Sequence, residues 1–234
     1  MAKSKEASNK ISSKGREKTG SLHNLGGAQD KRQDIQNMFK EIGFKGVSGT
    51  NNIDTATLGA YAIALNGLEK EYGAISASKN PVFTTGNGTS LAAVFFKDTD
   101  PSSQFMAINS KSMGSIGSTL KVFRENEKSG WFAKTDGKIT SQARQTITHE
   151  YGHMLSNALA AKNGTTATGF SIKAYREIRQ IAQTKYGAKK GSSPSRYGSS
   201  SAAEFFAESF ASYKSGSPNA YGKAIGDWLK NNKL

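Results

Sequence analysis

Apolar residues recur along the chain in two different spacings, and the changes between them divide it into elements. From Ala28 onward Ile35, Met38, Phe39 and Ile42 fall every three or four positions, which predicts a helix with one buried face, ended near Gly43. Asp54 is placed to cap a second helix with Leu58, Tyr61, Ala62 and Leu65 on its inner side. Between residues 81 and 110 the apolar runs become short: Pro81-Val82-Phe83, Leu91 to Phe96, and Phe105 to Ile108, separated by Gly, Asn, Asp, Ser and Pro. These predict the strands of a small sheet.

Helical spacing then returns. Ser118 is the expected N-cap of a short helix through about Glu127, broken by Ser129-Gly130 before Trp131-Phe132. A longer helix is expected from Thr140 or Ser141 to about Ala161, stopped by Asn163-Gly164, with Ala143, Ile147, Met154 and Leu155 pointing inward. Another is predicted over about Ser171 to Tyr186, with Ile172, Tyr175, Ile178 and Ile181 or Ala182 on one side. A loop from Gly187 to Ser201 and helices near Ala202 to Tyr213 and Asn219 to Asn231 complete the chain. The pattern is that of an α+β domain over residues 28–234, mostly helical, without internal repeats.

Composition changes this picture at the N-terminus. The first twenty residues carry Lys3, Lys5, Lys10, Lys14, Arg16 and Lys18 against Glu6 and Glu17, and the first 27 have too little apolar surface to offset their ordering entropy. A flexible basic arm is expected there, either a linker or an electrostatic tether. The net charge of +14 and pI near 9.8 raise the question of an acidic partner such as nucleic acid, a virion interior or an anionic membrane surface. The charge is scattered and no nucleic-acid module is legible, so a solvated basic surface is the favoured reading; the arm could touch nucleic acid without that being the main function. No apolar run has the length of a signal-peptide core or of a membrane span, so the chain reads as soluble, with export, if any, by another route.

Cysteine is absent, which removes disulfides, thiolate zinc sites and thiol nucleophiles and leaves His and carboxylate as the available metal ligands. Those residues converge in His149-Glu150-Tyr151-Gly152-His153. Positions i and i+4 share a helix face, so both imidazoles can bind one ion while Glu150 flanks it as a general base for water. A catalytic zinc takes three protein ligands and keeps one position for water. The chain has three histidines; His23 lies in the arm and none follows His153, so the third ligand is expected to be a carboxylate. Its best source is the segment Ala202 to Ala211. There Ala203, Phe206, Ala207 and Phe210 form an apolar stripe, and Glu204 and Glu208 lie one turn apart beside it. Two acids at the border of an apolar stripe are costly unless a positive group compensates them, and either could be the ligand.

The HEYGH helix, followed after some fifty residues by Tyr197-Gly198-Ser199-Ser200-Ser201-Ala202-Ala203-Glu204-Phe205-Phe206-Ala207-Glu208, resembles the catalytic domain of anthrax lethal factor and its relatives. These are gluzincin-type metallopeptidases that also occur in bacterial toxins and phage-encoded proteins. The resemblance spans residues 140 to 213, about a third of the chain, and no delivery domain accompanies it. It implies a zincin-like fold with a small mixed sheet and one catalytic Zn2+ held by His149, His153 and Glu204. It also implies that Tyr197 assists catalysis and that Glu208 orients a metal-bound histidine. The expected function is then a zinc metalloendopeptidase acting on a protein or peptide substrate, with a zinc-activated water, Glu150 as general base and Tyr197 donating to the oxyanion. The run Leu91 to Phe96 is either a core strand or a sheet edge that pairs with substrate. Lys185, Lys189, Lys190 and Arg196 are either a solvated loop or an attractor of acidic substrates. Two other functions fit the same residues: a phage-particle or DNA-associated structural protein with a vestigial metal site, and a zinc hydrolase acting on a non-peptide amide.

Overall fold

A computed structural model describes residues 28–232 apart from 87 and 89; the basic arm expected at residues 1–27, with His23, lies outside the described residues. Helix α1 (Ala28–Ile42) buries Ile35, Phe39 and Ile42, the face its spacing predicts. Helix α2 (Thr55–Tyr72) starts where the Asp54 carboxylate accepts from Thr57 N and stops at Gly73, whose φ of 66° suits a residue without Cβ. Four strands form one sheet: β1 (Gly46–Ser48), β2 (Val82–Gly86), β3 (Ala92–Lys97) and β4 (Asp100–Asn109). Their order is β1-β2-β4-β3, with β1, β2 and β4 parallel and β3 antiparallel to β4, so the sheet is mixed and β3 is a terminal strand.

Two strand expectations need amending. The run Phe105 to Ile108 is only the end of β4, because Gln104 and Ser102 alternate inward ahead of it as buried polar residues and break the apolar pattern. Strand β1 is three residues long and begins with glycine, too short to show a period. Inward, the sheet presents Phe83, Met106 and Ile108 to the helices. Phe95 and Phe105 stack at 4.7 Å on the other face and remain exposed.

Helices α3 (Ser110–Met113) and α4 (Ile116–Lys128) come after β4. The cap of α4 is Ser115 and not Ser118; the two serines form a reciprocal capping box with Ser118 at the third helical position. Helix α5 (Ile139–Lys162) is the long helix of the fold and packs against α2, α4, β3 and β4. Helix α6 (Ala167–Tyr186) begins four residues before the expected Ser171, since the Thr166 hydroxyl accepts from Gly169 N and caps it there. Phe170, Ala174, Ile178 and Ala182 then define its buried face. Ile172, expected inward, is 40% exposed, because two residues from Phe170 on a helix is nearly the opposite side. Tyr175 and Ile181 are partly buried at the margin. Helices α7 (Ala202–Lys214) and α8 (Ala220–Asn231) are capped by Ser201 and Asn219.

A single apolar core runs from Phe39 and Phe83 through Ile147, Met154 and Leu155 to Phe206 and Trp228, where each fully buried large side chain contributes about 1.5–3 kcal/mol. Two features hold α5 in place within it. The Tyr151 hydroxyl accepts from Ala74 N at 3.2 Å and donates to Glu69 Oε2 at 2.9 Å, tying α5 to the end of α2. Where α5 crosses α7, a Cβ on Gly152 would lie 3.0 Å from Ala207 Cα, so glycine is what lets the two helices approach this closely. Among the described residues no helix is long and apolar enough to cross a membrane.

Candidate metal centre

The α5–α7 crossing brings the separate ligand candidates together. His149 Nε2, His153 Nε2 and Glu204 Oε2 form a triangle with sides of 3.1, 3.0 and 3.2 Å. Tetrahedral donors held about 2.0–2.1 Å from a common ion stand about 3.3 Å from one another, so this spacing suits one small divalent ion with a further position left for solvent. Two imidazole nitrogens and a carboxylate oxygen, without thiolate, make one of the donor sets that catalytic zinc sites use. Glu204 occupies the third position of α7, set by the Ser201 cap that accepts from its N–H, and Gly152 removes the bulk that would hold it away from α5.

Glu208, one turn further along α7, is 1% exposed and spans two elements. Its Oε1 accepts from His149 Nδ1 at 2.8 Å, and its Oε2 accepts from Ala133 N at 2.9 Å. Because a carboxylate only accepts, Nδ1 donates to Glu208, and Nε2 is the nitrogen that faces the triangle. The two acids that sequence pattern alone leaves interchangeable are therefore separated by geometry: Glu204 joins the convergent triangle and Glu208 stands behind His149.

Electrostatics are set by this packing. Burial disfavours the His149 cation, but the bonds to Glu204 and Glu208 outweigh it and hold the His149 pKa well above the usual imidazole range. Burial likewise works against the Glu204 carboxylate, and the two imidazoles overcome it, so its pKa falls well below the usual carboxylate range. Glu150 moves the other way. Its burial raises the pKa, with His149 and His153 only partly opposing, and its Oε2 is enclosed without a hydrogen-bond partner. A cation in the triangle would compensate the clustered acids.

Tyr197 lies on a 3-10 turn (Tyr197–Ser199) within the expected loop, and its hydroxyl donates to Glu204 Oε1 at 3.0 Å. Burial first, and then the Glu204 charge, push its pKa up, so it remains a phenol and a donor. Its ring stacks on His149 at 5.5 Å and on Trp131 at 5.5 Å. The backbone fixes this arrangement: Tyr197 N donates to Trp131 O, and Arg196 N donates to Gly130 O. Gly198 is needed beside it, since a Cβ there would meet Pro194 Cγ at 2.7 Å.

Every residue selected from the sequence, namely His149, Glu150, His153, Tyr197, Glu204 and Glu208, is thus found in one cluster. Sequence reasoning misses the segment Trp131-Phe132-Ala133, which walls the site and supplies a backbone donor. Its only sequence signal is its place just after a helix break, because its pairing with Tyr197 and Glu208 spans more than sixty residues. Of the basic run, Lys185 pairs with Asp227 on α8. A cavity of about 240 Å³ opens beside His149 and Glu150, walled by Trp131, Phe132 and the start of β3. Comparison of the chain with protein-family models, curated proteins and solved structures finds no match.

Proposed function

We propose that the protein is a zinc-dependent metalloendopeptidase that hydrolyses peptide bonds in a protein substrate. The observation that carries this reading is the meeting of three metal donors from two segments with a buried, unpartnered Glu150 oxygen beside a cavity. His149, His153 and Glu204 would hold a divalent ion, which would supply Lewis acidity toward water and toward a peptide carbonyl. The Glu150 carboxylate takes the proton from the attacking water and returns it to the leaving nitrogen, a task suited to a carboxylate whose pKa is raised by burial. Tyr197 holds its proton and donates it as a hydrogen bond to the oxygen on which negative charge develops. Glu208 keeps His149 in the tautomer that presents Nε2. Strand β3 ends the sheet next to the cavity, so its outer edge offers backbone groups with which an extended substrate can pair.

The test is digestion of a diverse peptide library read by mass spectrometry, with zinc, with chelator and with Glu150→Gln. Cleavage is expected with zinc only, falling about 10²–10⁴-fold in Glu150→Gln while the variant still binds zinc. Equal products from wild type and variant would overturn the reading. Cleavage of small amides but of no peptide would reassign the substrate.

A further inference from the structure

Strand β3 lacks the protection that terminal strands ordinarily carry. An unpaired edge invites other strands, and proteins blunt it with charged residues or proline. Residues Ala92 to Phe96 read Ala-Ala-Val-Phe-Phe, with no charge before Lys97. Phe95 is 49% and Phe96 40% exposed, and they point to opposite faces of the sheet: Phe95 stacks on Phe105 outside, while Phe96 lies opposite the buried Gln104 on the helix side. An irregularity between Phe96 and Lys97 ends the regular pairing, so the flat stretch is confined to these residues.

The backbone of this stretch says which groups face outward. Asn109 N donates to Leu91 O, which makes Leu91 and Asn109 a hydrogen-bonded pair of the antiparallel ladder. Alternation then turns the N–H and C=O groups of Ala93 and Phe95 toward β4 and those of Ala92, Val94 and Phe96 to the free edge. Among the described residues no backbone partner meets them there. At Ala92 the strand lines the same cavity as His149 and Glu150. From Ala92 to Phe96 is about 13 Å at about 3.3 Å per residue. The edge is therefore a template for an extended chain that begins beside the candidate metal centre and ends at two exposed rings, one on each face.

Resting on the peptidase reading, we propose that Phe95 and Phe96 are a specificity-determining pair: an extended substrate adds to the β3 edge, and two consecutive apolar residues of it cover the two rings. Successive side chains of a strand point to opposite faces, so adjacent substrate residues meet Phe95 on one face and Phe96 on the other. Ala92 shares its cavity with Glu150, so the residue paired with it lies next to the scissile bond, and the apolar pair falls about three to five positions away. Apolar cross-strand partners remove the rings from water, which charged or small polar partners do not. The substrate class is thus extended segments with two adjacent β-branched or aromatic residues at that distance from the cut.

The experiment measures kcat/KM of the full chain with zinc on peptides that share one cleaved core and carry Val, Phe, Ser or Asp at each position outward from the cut. Wild type is compared with Phe95→Thr and Phe96→Thr, in which threonine keeps the strand propensity. Wild type is expected to favour Val and Phe by about two- to fivefold at each of two neighbouring positions. Phe95→Thr should flatten one of them and Phe96→Thr only its neighbour, a split that misfolding does not produce. Cleavage without an apolar preference at two adjacent positions, or preferences that survive both substitutions, would overturn the inference and leave the peptidase reading intact. Absence of any cleavage would count against the peptidase reading. The edge is then judged by adding the same peptides to the protein and following backbone amides by NMR. Shifts at Ala92, Val94 and Phe96 with the Val-Val peptide and not with the Asp-Asp peptide support the inference, and equal shifts or none would overturn it. Dimerisation in sedimentation that Phe95→Thr abolishes would also overturn it, by giving the edge to a second copy of the chain.

Discussion

Two buried polar clusters share helix α5, and they differ in whether every buried group in them has a partner. In the C-terminal half of the helix, Gln104 of β4 donates to Ser78 Oγ and to the Met154 carbonyl and accepts from Asn157 Nδ2, while Ser78 donates to the Ala74 carbonyl. The set is closed and uncharged, and it fixes the sheet to the helix. One to two turns earlier, His149, His153 and Glu204 aim three atoms at a common point, and Glu150 keeps an oxygen without a partner. Among the described residues that oxygen finds no partner. The difference teaches how structural and functional burial of polar groups can be told apart in one helix: completed bonds on one side, convergent ligand atoms beside an unpaired acid on the other.

Substitutions can break this contrast, and the largest effect is expected at the triangle. Glu204→Ala removes one of three donors, so zinc affinity measured by competition with a chromogenic chelator should weaken by more than about 100-fold, beyond what loss of a supporting carboxylate costs. Retained affinity would remove Glu204 from the site. Glu208→Ala leaves all three donors but frees the His149 ring and strands Ala133 N, and an affinity loss of about 10–100-fold is expected in the same assay. The smallest effect on metal belongs to the closed cluster. Gln104→Leu should lower stability by about 1–3 kcal/mol in urea unfolding, by orphaning Asn157 Nδ2, with zinc affinity within about twofold of wild type. If Gln104→Leu disturbed metal binding as much as Glu208→Ala, the two clusters would be one network.

The helical half of the molecule is readable in the sequence because its signals are local. The HEYGH spacing needs only the helix repeat to place His149 and His153 together, and Glu204 and Glu208 emerge from the same repeat beside the Phe206 and Phe210 stripe. Choosing Glu204 over Glu208 requires the crossing angle of α5 on α7, which no single helix encodes. Missed or misplaced features share a different cause. Strand β1 and the polar start of β4 depend on pairing partners far away in sequence, and the caps at Ser115 and Thr166 compete with neighbouring Ser and Thr residues of equal capping ability. Trp131 carries no motif; its meaning comes from Tyr197, which stacks on it.

The contact of Gly152 with Ala207 sits three residues beyond Glu204 and one before Glu208 on α7. It lies only about 4.5 Å along the axis from the first acid and about 1.5 Å from the second. A side chain added at residue 152 would therefore push on the stretch of α7 that bears both carboxylates, and the metal donors on α5 would lose their counterparts together.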